Sequence, residues 1–239
     1  VGPAGASVAR AAVDAALART LRDFPARSIL VVGYSGGRDS TVLLDALARL
    51  RPPGRLVAWH VHHGLQSQAD DWLASCQRMA ARLGVRFGHT RLGPAPASGA
   101  NIEAWARDER YRALWQAVAQ CGADALLTAH HADDQLETIL MRLARGSGPA
   151  ALGGMEPVER RPGGWLLRPL LGVGRDGIEA CARVRRLEWV EEQGLRIERS
   201  YFPNLSNCLE EDCPPVDAGR TGEMIRVRLT LTLPQDAYY

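Results

Sequence analysis

An unbroken apolar run, Ile29-Leu30-Val31-Val32, is followed almost at once by Ser35-Gly36-Gly37-Arg38-Asp39-Ser40 and then by Thr41-Val42-Leu43-Leu44-Asp45-Ala46-Leu47. The run has the length and composition of a fully buried strand, and the last stretch reads as a helix. A glycine-rich turn between a core strand and a helix start presents unpaired backbone N–H groups and the positive end of the helix dipole to an anion. Gly36 and Gly37 let the backbone come close to a phosphate and take positive φ. Ser35 and Ser40 add hydroxyl donors. A carboxylate repels phosphate unless a cation lies between them, so Asp39 reads as a magnesium ligand beside a polyphosphate. The turn is not the common P-loop, which needs a lysine after its last glycine; this chain contains no lysine. It also lacks the three spaced glycines of the dinucleotide fingerprint.

The rest of the chain alternates. Residues 55–61 read as a second strand, 67–83 as a helix, 85–92 as a third strand, 101–121 as a helix with Asn101 as its N-cap, 123–128 as a fourth strand and 132–145 as a helix. Such alternation predicts an α/β fold, a doubly wound parallel sheet with helices on both faces. After Gly146-Ser147-Gly148-Pro149 the rhythm changes. Residues 165–171 read as a strand that stops at Pro169, 175–187 as a last helix and 225–233 as an edge strand; 203–223 is rich in Pro, Asn, Cys and acid. The expected organisation is an N-terminal helix over 1–24, one domain over 25–190 and a diverged tail over 191–239.

Open parallel sheets bind ligands at the carboxyl ends of their strands, and the polar clusters fall there. The first strand ends at the glycine turn, the second at His60-Val61-His62-His63 and the fourth at His130-His131-Ala132-Asp133-Asp134. Asp134 and Glu137 lie one turn apart and share a helix face. Paired carboxylates beside a phosphate loop can hold magnesium or act as a general base, although acids in a first turn also simply favour the dipole. Glu103, Arg107 and Arg110 or Tyr111 line one stripe, an ion-paired surface unless a polyphosphate lies nearby, in which case Arg110 can stabilise its charge. His60 and His62 share a strand face and His63 points away. With no cysteine or acid at ligand spacing, they suit nucleotide contact or loop support better than zinc.

Composition narrows the chemistry. Across 239 residues the net charge is +2, which does not by itself argue for nucleic acid. All 29 basic residues are arginine, which excludes a Schiff-base or nucleophilic lysine in the chain. The five cysteines form no C-x-x-C pair; Cys76, Cys121 and Cys181 read as core, Cys208 and Cys213 as part of a polar tail. That usage predicts a reducing cytoplasm. No apolar run reaches membrane-spanning length, and residues 4–22 read as an Ala/Arg amphipathic helix rather than a leader.

The string SGGxDS after a strand resembles the pyrophosphate-binding loop of the N-type ATP pyrophosphatase (PP-loop) superfamily. Together SGGRDS (35–40), HVHHGL (60–65), NIEAWARDERY (101–111), TAHHADDQLET (128–138), RLARGSG (142–148) and LLRPLL (166–171) resemble the tRNA(Ile)-lysidine synthase family over residues 25–190. The resemblance implies a Rossmann-like PP-loop ATPase fold and an ATP- and Mg2+-dependent ligase. Such an enzyme adenylylates the ring carbonyl oxygen of the wobble cytidine in a CAU-anticodon tRNA(Ile). The amine of free L-lysine then displaces AMP to give lysidine. It further implies that Ser35, Gly36, Gly37, Arg38, Asp39 and Ser40 hold ATP phosphates, with Asp39 on the metal. Arg110, His130, Asp134 and Glu137 then surround the reacting cytosine and lysine, and Asp134 and Glu137 receive the lysine ammonium. Arg142 and Arg145 either meet tRNA phosphates or balance the helix dipole. No membrane is expected, and a homodimer is allowed.

The tail departs from the family. An Asp-Pro-Ser-Asn turn and a Tyr-x-Arg-Asn-x-x-Arg segment are echoed only by Glu192, Tyr201 and Asn204. The chain is also too short to hold in full the C-terminal tRNA-binding domains of many members. Two alternatives therefore stand beside the ligase: another PP-loop tRNA-modifying enzyme such as a thiolase, and a nucleotide-binding module that has lost activity.

Overall fold

Leu30–Gly33 forms β1, the strand onto which the rest of a six-stranded sheet is built. The computed structural model describes residues 3–62, 68–93, 102–144, 153–190, 196–203 and 225–232. In chain order the elements of the first unit are α1 (Pro3–Thr20), β1, α2 (Arg38–Leu50), β2 (Leu56–His62), α3 (Ala69–Arg82), β3 (Arg86–Arg91), α4 (Ile102–Cys121), β4 (Ala125–Leu127), α5 (Ala132–Ala144), β5 (Val158–Arg161), β6 (Gly164–Leu167) and α6 (Arg175–Val184). The spatial order of the strands is β3-β2-β1-β4-β6-β5. β1 pairs in parallel with both β2 and β4, β2 with β3, and β4 with β6. The order reverses between β1 and β4, so the crevice over their carboxyl ends is where a ligand of this fold binds. The doubly wound α/β reading holds.

β1, β4 and most of β2 are apolar because both of their faces are covered, whereas β3, Arg86–Arg91, is half-buried to exposed. Side chains alternate between faces, and the two cores separate accordingly. Leu30, Val32, Ala58, Leu127 and Leu167 join Leu17 of α1, Leu43, Leu44 and Leu47 of α2, Cys76 and Met79 of α3 and Ile178 and Cys181 of α6. Val31, Val57, Leu126 and Leu166, one residue out of phase, meet Leu114, Ala117 and Val118 of α4 on the other side. The N-terminal helix is thus part of the first core.

Three features differ from the sequence reading. β5 is an additional antiparallel edge strand, paired Val158↔Leu167 through Arg161↔Gly164. Its sequence, VERR, is half-exposed and too short to show a period. α2 begins at Arg38 rather than Thr41, so Asp39 and Ser40 sit in its first turn. A second unit, residues 191–239, contains β7 (Arg196–Pro203), paired antiparallel with β8 (Ile225–Thr232). Among the described residues no helix is long and apolar enough to cross a membrane.

Candidate active site

The chain leaves β1 at Gly33, bonds the Tyr34 amide to the Trp59 carbonyl (2.9 Å), and turns. Gly36 makes the turn at φ +90, a conformation that a side chain disfavours. Gly37, expected at positive φ like Gly36, is instead extended (φ −67, ψ 166), because it is the cap residue from which α2 starts, and it caps without a side-chain hydrogen bond. Hydroxyls brace the loop from within. The Ser35 and Ser40 Oγ atoms lie 3.1 Å apart, the Gly37 amide donates to Ser35 Oγ (3.2 Å), and Ser40 Oγ and Thr41 Oγ1 donate to the Gly37 carbonyl (3.0 and 2.9 Å). The amides of Arg38, Asp39 and Ser40 have no acceptor among the described residues, as the first turn of a helix dictates.

Across the crevice, α5 begins with a capping box built on histidine. His131 is the N-cap: its Nδ1 accepts the Asp133 amide (3.2 Å), while Asp134 Oδ2 reaches back to accept the His131 amide (2.9 Å). Since Nδ1 is an acceptor, the ring proton sits on Nε2. That atom lies 3.5 Å from Asp39 Oδ2 and 3.6 Å from Asp134 Oδ2. One buried imidazole thus touches carboxylates from both sides of the switch point. The contact with Asp39, then the charges of Asp134 and Asp133, raise the His131 pKa against the opposing effect of burial. Burial works against the Asp39 carboxylate as well, but His131 and Arg38 outweigh it and hold its pKa below the ordinary value. His131 is the residue that sequence reasoning missed. Its signal was its place at the helix start three residues before Asp134.

The remaining expected residues fall around this centre. Arg38 is turned to acids, with Nε 3.0 Å from Asp39 Oδ1 and Nη1 3.4 Å from Glu179 Oε2 on α6. His130 Nδ1 lies 2.9 Å from Thr128 Oγ1. Burial, and the nearby charges of Arg168, Arg110 and Arg107, push its pKa down to about 4, so the ring is neutral. Arg110 is half-exposed and lies over the Tyr111 ring (5.7 Å). Glu137 is half-buried on the Asp134 side of α5. Arg142 donates to the Gly154 carbonyl (2.7 Å). His60 is buried and bonds the Tyr34 carbonyl, which is loop support; His62 lies 3.3 Å from Asp70. Asn101, His63, Arg145, Cys208 and Cys213, and the side chain of Glu103, lie outside the described residues.

Oxygen donors converging beside a phosphate loop suit Mg2+, which takes one or two carboxylates, substrate phosphates and waters. Among the described residues no group of three or more ligating side chains is gathered at one point. A cleft of about 610 Å³ opens at the opposite edge of the sheet, lined by Phe24, Arg27, Arg55, Asp124, Arg160 and Trp165 among others. It lies at the amino ends of the strands, and none of the motif residues reaches it.

A donor-lined turn at the switch point, faced by carboxylates from the next crossover, defines a doubly wound domain built to hold a charged phosphate ligand. The family description "PP-loop domain" matches residues 10–202. The chain belongs to the PP-loop domain family. It is similar to a tRNA(Ile)-lysidine synthase from Burkholderia mallei, 46% identical over 180 residues covering 74% of this chain and 37% of that protein. It is also similar to one from Ralstonia nicotianae, 50% identical over 167 residues, 68% of this chain and 36% of that protein. The chain therefore spans little more than a third of the length of these relatives. Among solved structures it resembles the U34-tRNA thiolase NcsA from Methanococcus maripaludis with its [4Fe-4S] cluster, at TM-score 0.65 and 20% identity, covering 75% of this chain and 65% of that one. That likeness concerns the fold.

Proposed function

We propose that the chain carries the catalytic part of a tRNA(Ile)-lysidine synthase, an ATP-dependent ligase that joins free lysine to the wobble cytidine of a CAU-anticodon tRNA(Ile). The supporting observation is that the phosphate turn and the α5 acids meet on one ring, with Asp39 and Asp134 both within 3.6 Å of His131 Nε2. The names of the relatives agree.

In this reading Ser35, Gly36, Gly37, Arg38 and Ser40 hold the phosphates of ATP, and Asp39 holds Mg2+. When bound, the metal neutralises phosphate charge. The ring carbonyl oxygen of the cytosine takes the adenylyl group and pyrophosphate leaves. Arg110 faces the charge that builds on the phosphate. His130, neutral and fixed through Thr128, lies against the reacting base. Asp134 and Glu137 receive the ε-ammonium of lysine, and one of them removes its proton, because an amine attacks only when neutral. The freed amine forms the new C–N bond and AMP departs. The described cysteines, Cys76, Cys121 and Cys181, are free thiols and the first and last are buried.

The domain from 25 to 190, joined by the helix before it, is the reacting unit in this proposal, and residues 191–239 are an accessory unit. The test is incorporation of labelled lysine into tRNA(Ile) with ATP and Mg2+, read together with AMP and pyrophosphate release. Labelled tRNA is the expected product. ATP cleavage without labelled tRNA overturns the assignment, and mass spectrometry showing a thiolated base moves it to the thiolase alternative.

A further inference from the structure

We propose that His60 and Cys76 are positioning residues of the phosphate turn: from β2 and α3 they hold the carbonyls of Tyr34 and Ser35 away from the ligand, so that the turn offers donors only. The proposal rests on the reading of that turn as a phosphate cradle.

The geometry is specific. His60 Nδ1 lies 2.9 Å from the Tyr34 carbonyl oxygen. A carbonyl cannot donate, so Nδ1 carries the proton and the tautomer follows. Cys76 Sγ lies 3.5 Å from the Ser35 carbonyl oxygen and 3.6 Å from His60 Nδ1. Both side chains are buried, His60 at 6% and Cys76 at 1% exposure. Burial lowers the His60 pKa and pushes the Cys76 thiol up to about 12, so imidazole and thiol stay neutral and keep their protons in the physiological range. Neither group touches the carboxylates of the candidate site, and neither has a part in the proposed chemistry. Among the described residues no other donor serves either carbonyl.

The next two carbonyls complete the pattern. The Gly36 carbonyl accepts the Val190 amide (2.9 Å) and the Gly37 carbonyl accepts from Ser40, Thr41 Oγ1 and the Thr41 amide. Every carbonyl from Tyr34 to Gly37 is therefore held by the protein. Left unheld, the peptide planes after Tyr34 and Ser35 can rotate and aim an oxygen at phosphate oxygens, which repels them. Holding those planes fixes the cradle before the ligand arrives, which lowers the ordering cost of binding.

The experiment uses the full chain and measures binding of ATP, pyrophosphate and adenosine, the first two by calorimetry and the last by ligand-detected NMR. The variants are His60→Leu and Cys76→Val, which keep bulk but lose the donor, and His60→Asn and Cys76→Ser, which restore one. Loss of one such hydrogen bond weakens ATP and pyrophosphate binding about tenfold, leaves adenosine binding unchanged, and is largely rescued by Asn or Ser. Unchanged pyrophosphate affinity in folded His60→Leu and Cys76→Val overturns the proposal. So does an equal loss for adenosine, which marks a general structural defect. If either Leu or Val variant fails to fold, Asn or Ser binding far more weakly than wild type overturns it in the same way. If the wild-type chain itself binds no pyrophosphate, the cradle reading fails first and this role falls with it.

Discussion

Replacing Gly36 by alanine tests the turn most directly, because two independent costs meet at one atom. The backbone there has φ +90, and a Cβ would lie 2.6 Å from Cys76 Sγ and 3.6 Å from Val190 Cγ2. The conformational cost for an L-residue in the left-handed region is about 1–2 kcal/mol. Forcing a methyl group into a packed core costs about 1–3 kcal/mol, and Cys76 is too buried to step aside. Together these give about 2–5 kcal/mol, which for a chain of this size lowers the melting temperature by roughly 4–20 °C. Gly84→Ala is the control: its φ is +65 and a Cβ there meets nothing within 4 Å, so it carries only the conformational cost. Cys76→Ala in the Gly36→Ala background removes the collision and returns about 1–3 kcal/mol relative to additivity. Urea denaturation of these three variants, of Cys76→Ala alone and of wild type, followed by circular dichroism, supplies the numbers. If Gly36→Ala costs no more than Gly84→Ala, or the second substitution returns nothing, Gly36 does not pack against the thiol and the geometry given for the turn is wrong.

Other outcomes follow from the same contacts. Asp45→Ala removes a carboxylate of 2% exposure that takes both Arg185 donors at 3.0 Å and Arg49 at 3.4 Å; because both arginines are partly solvated, the loss is about 1–3 kcal/mol by urea titration. Asp39→Asn weakens ATP binding when Mg2+ is present and has little effect in chelator, which calorimetry under the two conditions checks. Glu137→Gln lowers lysine transfer by about 10²–10⁴-fold with ATP affinity kept, and equal loss of both places Glu137 in the binding site instead. His130 has its folded pKa near 4 against an ordinary value of 6.5. Between those values the unfolded chain binds a proton that the folded chain does not. Its contribution is therefore complete above pH 6.5 and is lost as pH falls toward 4, and His130→Gln flattens that part of the stability profile.

The central strands β1, β2 and β4 were legible because burial on both faces leaves nearly continuous apolar runs, as in Leu30–Gly33 and Leu56–His62. β5 was not, since an edge strand reading Val-Glu-Arg-Arg is fixed by its partner β6 and carries no period of its own. The pairing of β7 with β8 was equally out of reach, because it joins Pro203 to Ile225 across an intervening segment with no strand pattern. The start of α2 was misplaced by three residues for a different reason. Arg38, Asp39 and Ser40 carry the motif, and the same residues form the first helical turn, whose amides have no acceptor among the described residues.

The site divides along the same line. Asp39 and Asp134 were visible as residue types at strand ends, yet nothing in their spacing shows that they meet. The connection is made by His131, whose identity as a helix cap looks purely local. The capping bond from the Asp133 amide occupies Nδ1 and so turns the Nε2 proton toward the crevice. There it contacts one carboxylate from α2 and one from α5. The capping box that starts α5 and the contact that joins the two halves of the crevice are therefore the same side chain. A substitution that kept only the cap, such as His131→Asn, leaves α5 formed and separates Asp39 from Asp134. That separates helix capping from assembly of the site in a way the sequence alone could not.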